Sequence, residues 1–162
     1  MPTSPKKKLL FVCLGNICRS PLAHAAFDAH VKKAGLADSF FTESSGTGGW
    51  HLGENADPRT REVGEKNGVP VDHLARKFHA SDLREYDLIL AMDKANLRDI
   101  LHHAKSPEEK KKVRLMRDFD PEPGDGEVPD PYYGGPADFQ KVFDIVDRST
   151  KQLLEQILKH AV

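Results

Sequence analysis

The stretch Val12-Cys13-Leu14-Gly15-Asn16-Ile17-Cys18-Arg19-Ser20-Pro21 holds a thiol and a guanidinium six positions apart. A thiolate is a nucleophile, and an arginine offers a planar fork that matches two oxygens of a phosphoryl group. A tight loop between them, leading into a helix, turns successive backbone N–H groups inward and makes an anion-binding nest reinforced by the helix dipole. A cysteine facing such a nest is expected to lose its proton below the ordinary value of about 8.5. Nucleophile, cradle and clamp together describe attack on a phosphate monoester. Read this way, Cys13 attacks and Arg19 clamps, while the backbone of Leu14, Gly15, Asn16, Ile17 and Cys18 forms the cradle. The plain alternative is a buried cysteine beside a surface arginine.

The flanking residues must supply the elements that hold this loop. Leu9-Leu10-Phe11-Val12 is an apolar run suited to a buried strand, which places Cys13 at its carboxyl end. Ser20-Pro21 reads as an N-cap and first helical position, because proline lacks an N–H that this position would not use. Leu22, Ala25, Ala26 and Ala29 continue a helical stripe that ends before Gly35. A second strand is expected at Phe40–Ser44, a helix from Asp57-Pro58 to Asn67-Gly68, and a third strand at Tyr86–Met92. Asp93 then reads as the N-cap of a helix reaching about His102. A last strand is expected at Val113–Met116 and an amphipathic helix from Ala137 onward, with Asp118–Pro136 as a loop between them. Strands alternating with helices imply a parallel sheet with helices on both faces, whose sites lie outside the carboxyl ends of the strands.

Bulk composition narrows the function classes. The chain has 162 residues, enough for one domain with one core, and residues 1–6 read as a loose tail. Charged residues make up 30% and balance to a net charge of −1, so no long-range field favours nucleic acid or an anionic membrane. Two cysteines with four residues between them and no clustered histidines give neither a disulfide framework nor a metal site, which points to a reducing compartment. Lys6-Lys7-Lys8 before Leu9 mimics a signal peptide faintly, but the apolar run is too short. A cytoplasmic location is expected, with secretion lacking a recognisable signal left open.

Other residues could complete the chemistry. The oxygen that leaves a phosphate monoester needs a proton, and Asp118, Asp120, Asp125, Glu127 and Asp130 are all candidates in the long loop. Trp50 is the lone tryptophan and sits in the Gly-rich Gly48-Gly49-Trp50-His51, poor company for a core residue. Lys110-Lys111-Lys112 reads as a solvated run with no binding role.

The chain resembles the low-molecular-weight protein tyrosine phosphatase family over nearly its whole length. The resemblance rests on Cys13-x5-Arg19-Ser20, Ser44-Ser45-Gly46-Thr47, Trp50, Asp57-Pro58-Arg59, Ala91-Met92-Asp93 and Asp130-Pro131-Tyr132-Tyr133-Gly134. It implies an α/β, three-layer, flavodoxin-like fold with a four-stranded parallel sheet, no metal and no other cofactor. It also implies phosphotyrosine-containing proteins as partners, and a monomer or weak homodimer. By the same resemblance Asp130 is the general acid and then the base, and Trp50, Tyr132 and Tyr133 wall a slot for the phenyl ring. Ser44 and His73 support the loop through Asn16, and Cys18 pairs with Cys13 on oxidation, while Ser20 is read as capping the helix and also donating to the Cys13 sulfur. Three other readings compete. An arsenate reductase of this fold needs cysteines beyond residue 18, and there are none. A protein arginine phosphatase typically has threonine where Ile17 stands. A non-catalytic phosphotyrosine-binding module would have no need of Cys13, Arg19 and Asp130 together.

Overall fold

A computed structural model describes residues 6–160 and residue 162; most of the tail expected at residues 1–6 lies outside the described residues, and Lys6 is exposed. The first apolar run becomes β1 (Lys7–Cys13), which enters the loop directly and leads to α1 (Arg19–Lys33). β2 (Phe40–Gly46) follows, then α2 (Pro58–Lys66), a short α3 (Asp82–Glu85) and β3 (Leu88–Ala91). The chain continues through α4 (Lys94–Leu101), α5 (Pro107–Lys111), β4 (Val113–Leu115), a 3-10 turn at Met116–Phe119 and the long α6 (Pro136–Leu158).

All four strands are parallel, in the order β2-β1-β3-β4. β1 is therefore central, and its side chains alternate between two faces as a strand's must. Leu9, Phe11 and Cys13 point into a core built with α1, α2 and α6, where the Phe27 ring lies tilted at 5.7 Å from Phe11 and edge-on at 5.4 Å from Phe40. Leu10 and Val12 face the opposite core with Phe78, Leu83, Tyr86, Ile89 and Ile100. Both faces are covered, so the strands can be apolar throughout.

One local expectation is corrected. α1 begins at Arg19 with Cys18 as its N-cap, so Ser20 is the second helical residue and caps nothing. Pro21 still costs no hydrogen bond, since the first turn's N–H groups have no partner within the helix. Asp57 and Asp93 behave as expected, accepting from Arg59 N and Asn96 N at 2.9 and 2.8 Å. Lys112 is not merely solvated: its ammonium donates to the carbonyl of Leu83, within α3, at 2.9 Å. α3 and α5 are too short, at 4 and 5 residues, for a periodic signal to mark them.

Candidate active site

The site lies beyond the carboxyl end of β1. Cys13 is buried, and its sulfur accepts from the Asn16 amide at 3.2 Å and from the Ser20 hydroxyl at 3.0 Å. Ser20, freed from capping, is thus turned toward the sulfur. The loop reverses at Asn16, whose φ of 57° is the left-handed conformation that asparagine tolerates better than other side chains. Among the described residues, the amides of Gly15, Ile17 and Cys18 have no hydrogen-bond acceptor, as a nest awaiting an anion requires.

Asn16 is held from four sides. Its amide nitrogen donates to Ser20 Oγ at 2.8 Å and Ser44 Oγ at 3.0 Å, and its Oδ1 accepts from Arg76 N at 2.9 Å. Its carbonyl accepts from His73 Nε2 at 2.7 Å, while His73 Nδ1 faces the Ser44 hydroxyl at 3.4 Å. That pairing fixes His73 as the neutral Nε2–H tautomer, and burial lowers its pKa in the same sense. The side chain of Asn16 therefore points away from the cavity. The Asn16 side chain supports the loop from behind and is not among the residues lining the cavity.

Arg19 is only 3% exposed at its side chain. One guanidinium nitrogen, Nη1, is occupied by Asp93 Oδ2 at 2.6 Å and the Val128 carbonyl at 3.2 Å. Nε and Nη2 make no hydrogen bond among the described residues, and Nη2 lies 3.6 Å from Asp130 Oδ2. Half of the fork is thus anchored and half is offered to the cavity. Burial opposes the charge of Arg19, but Cys13, Asp93 and Asp130 outweigh it and move its pKa upward.

The cavity measures about 300 Å³ and is lined by the loop residues other than Asn16, with Trp50, His51, Asp130, Tyr132 and Tyr133 at the mouth. Asp130 is 47% exposed at its side chain and accepts from Tyr132 N at 3.1 Å. Trp50 is 70% exposed and its ring lies over Gly48, where any Cβ would fall 2.0 Å from the indole. Tyr132 meets Tyr133 edge-on and rests on the Arg59 guanidinium, which also covers Phe139. Cys18 is buried; desolvation and the charge of Asp57 push its thiol up to about 12.

Sequence reasoning missed several residues here. His51 leans on Gly15 and bonds Glu54 at 3.0 Å; its place beside Trp50 was the one available signal. Asp93 was read as a cap and does cap α4, yet its second oxygen holds Arg19. Arg59, Arg76 and Val128 act through contacts between distant parts of the chain, which no local pattern reports.

Known proteins match this arrangement along the chain. The family model for low molecular weight phosphotyrosine protein phosphatase covers residues 8–162. A low molecular weight protein-tyrosine-phosphatase of Streptomyces coelicolor is 45% identical over 152 residues, 93% of each chain. The low molecular weight phosphotyrosine protein phosphatase of Schizosaccharomyces pombe is 51% identical over 134 residues, 82% of this chain and 85% of that one. Among solved structures, a protein tyrosine phosphatase from Entamoeba histolytica with Hepes in the active site superposes with a TM-score of 0.94 at 38% identity, covering 97% of this chain and 100% of the other. The chain belongs to the low molecular weight phosphotyrosine protein phosphatases, a family of hydrolases.

Proposed function

We propose that the protein hydrolyses phosphotyrosine in proteins through a cysteinyl-phosphate intermediate. The observation that carries this is the convergence of Cys13 Sγ, the unpaired loop amides and the free half of the Arg19 fork on one cavity that Asp130 closes. The phosphoryl oxygens take the amides of Gly15, Ile17 and Cys18 together with Arg19 Nε and Nη2. Cys13 attacks phosphorus, the bond to the phenolic oxygen breaks, and Asp130 gives that oxygen its proton. Asp130 then takes a proton from water as the water attacks phosphorus, and Cys13 departs with the electron pair of the S–P bond. Charge spread over the transferring oxygens is met by donors already in place. Trp50, Tyr132 and Tyr133 bury the ring and leave the phosphate at the depth of Cys13, a reach that suits tyrosine rather than serine.

Two further points support this reading over its rivals. An arsenate reductase would need a relay of cysteines, and Cys18 is the last in the chain. Ile17 gives the loop an apolar side chain toward the cavity, suited to an aromatic ring.

The test is Cys13→Ser. Turnover of p-nitrophenyl phosphate is expected to vanish, while orthovanadate still quenches or shifts the fluorescence of the lone Trp50 and protects against thermal unfolding, because the amides and Arg19 remain. Ordinary turnover by the variant would overturn the covalent mechanism. Loss of vanadate binding would move the oxyanion site elsewhere.

A further inference from the structure

Asp130 sits on a segment, residues 120–130, that has no regular secondary structure and is mostly exposed. Such a segment needs an anchor if its carboxylate is to be held against a phosphoryl group. The anchor is buried beneath it. Arg117, 8% exposed, spends its whole guanidinium on this segment: Nη2 donates to the Glu122 carbonyl at 2.6 Å, Nη1 to the Glu127 carbonyl at 2.8 Å and Nε to Asp120 Oδ2 at 2.9 Å. The Glu122 and Glu127 carbonyls bracket the turn, and the residue after the second is Val128. Val128 donates to the Met92 carbonyl at 2.8 Å and accepts from Arg19 at 3.2 Å. Asp130 follows two positions on. Gly124 crosses directly over the guanidinium with φ +54°, and a Cβ there would lie 3.1 Å from Arg117 Nη2. A side chain at this position would be strained by the positive φ and would press the arginine aside by a few tenths of an ångström.

We propose that Arg117 is a positioning residue for the reaction: it holds the 120–130 segment in the one course that puts Asp130 over the leaving oxygen. This rests on the reading of Asp130 as proton donor. Lysine is no substitute, because one ammonium cannot reach two carbonyls and a carboxylate that diverge in the plane of a guanidinium. Removing Arg117 does not leave Asp120 as a naked buried charge. Arg148 still donates to both its oxygens at 2.7 and 3.1 Å, and Glu122 N donates at 2.8 Å. The variants should therefore fold. Arg19 also keeps Asp93, so the phosphate cradle should survive.

These facts give the effect a signature that simple destabilisation lacks. Asp130→Asn sets the reference: a loss of about 10²–10⁴ in kcat on phenyl phosphate, and a smaller one on p-nitrophenyl phosphate, whose phenolate departs unaided. Arg117→Lys and Arg117→Gln are expected to lose about 10–10²-fold in kcat with the same dependence on leaving group. Their vanadate affinity should stay within about threefold of the parent, since the Arg19–Asp93 pair is untouched. Gly124→Ala, on the exposed turn, should show the same pattern more weakly while leaving the core intact, and decides the matter if the Arg117 variants do not fold. Arg148→Gln is the control: Arg148 holds the Asp120 side chain and reaches the segment's backbone only at the Glu122 carbonyl, at 3.5 Å, which Arg117 still holds at 2.6 Å. This variant should lower Tm without a leaving-group-dependent loss.

Equal losses on both substrates, weakened vanadate binding, or a selective loss in Arg148→Gln would overturn the positioning role. A normal Asp130→Asn profile beside indifferent Arg117 and Gly124 variants would overturn it while leaving the reading of Asp130 intact. An Asp130→Asn enzyme without leaving-group dependence would overturn both.

Discussion

At the scale of single residues, the two cysteines are separated by environment rather than by type. Cys13 receives two hydrogen bonds on sulfur and faces the cavity. Cys18 also lines the cavity, yet burial and Asp57 hold its thiol at about 12, so at neutral pH it keeps its proton. Cys18 is thus a poor attacker but an available trap. Peroxide oxidising Cys13 to a sulfenic acid, with its own O–O bond reduced to water, leaves an electrophilic sulfur in the same loop as Cys18. Condensation of that sulfenic acid with the Cys18 thiol forms the disulfide and releases a second water. We expect peroxide to inactivate the enzyme, dithiothreitol to restore it and phosphate to slow the loss. Cys18→Ser should keep most of its turnover but recover poorly, and mass spectrometry should find the bridged loop peptide in the parent alone. Full reductive recovery of Cys18→Ser would reduce Cys18 to a packing residue.

At the scale of elements, what was legible in the sequence is what local chemistry dictates. The apolar run of β1, the Asp-Pro start of α2, the Asp93 cap and the stripe of α6 each carry their signal within a few residues, and each formed close to its expected bounds. The capping role of Ser20 failed because the helix starts one residue before it, at Arg19, and the Ser20 hydroxyl meets the Cys13 sulfur instead. Arg76 left no trace because its partner Asn16 is brought near only by the tertiary fold, and Arg117 left none because its partners lie on an irregular turn that no periodic pattern reports. Gly46 is a further case. It ends β2 opposite Cys13 in the sheet register, and a Cβ there would fall 2.7 Å from the Leu14 carbonyl and 3.0 Å from Asn16 Cβ. The end of β2 is pressed against the back of the phosphate loop, with backbone rather than flexible side chain on the other side. Gly46→Ala should therefore cost about 1–3 kcal/mol of stability by overpacking. It should also move the loop enough to lose about 10–10²-fold in kcat/KM. Unlike the variants at Arg117, it should weaken vanadate binding and affect good and poor leaving groups alike. Parent-like kinetics in a merely destabilised protein would show that the loop absorbs the methyl group.

At the scale of the whole molecule, two titratable groups, one half-buried and one buried, tie separate parts of the chain together and should shape its stability against pH. His73 joins the connector after α2 to the phosphate loop and is held neutral, its pKa lowered from 6.5 chiefly by desolvation. Its contribution is complete above about pH 6.5 and is lost as the pH falls through the lower folded value, because the unfolded chain takes up the proton first. Asp120 joins the turn after β4 to α6 through Arg117 and Arg148, and its carboxylate is wholly buried. Burial alone would raise its pKa, but Arg148, the Glu122 amide and Arg117 bring it below 3.8. Its contribution is complete above about pH 3.8 and disappears below that. Two stages of acid destabilisation should follow, a shallow one beginning below about pH 6.5 and a steeper one below about pH 3.8. His73→Gln retains an N–H for the Asn16 carbonyl and removes the titration, so it should flatten the first stage and leave the second. Asp120→Asn leaves Arg117 facing no carboxylate at Nε, and should cost about 3–5 kcal/mol at neutral pH while reducing the second stage, to which Asp57, also held below 3.8 by Arg59, contributes. Urea melts of the three proteins from pH 8 to pH 3 separate these outcomes. A first stage that persists in His73→Gln would assign it to another group, and a second stage unchanged in Asp120→Asn would show that the buried carboxylate is not what joins α6 to the loop carrying Asp130.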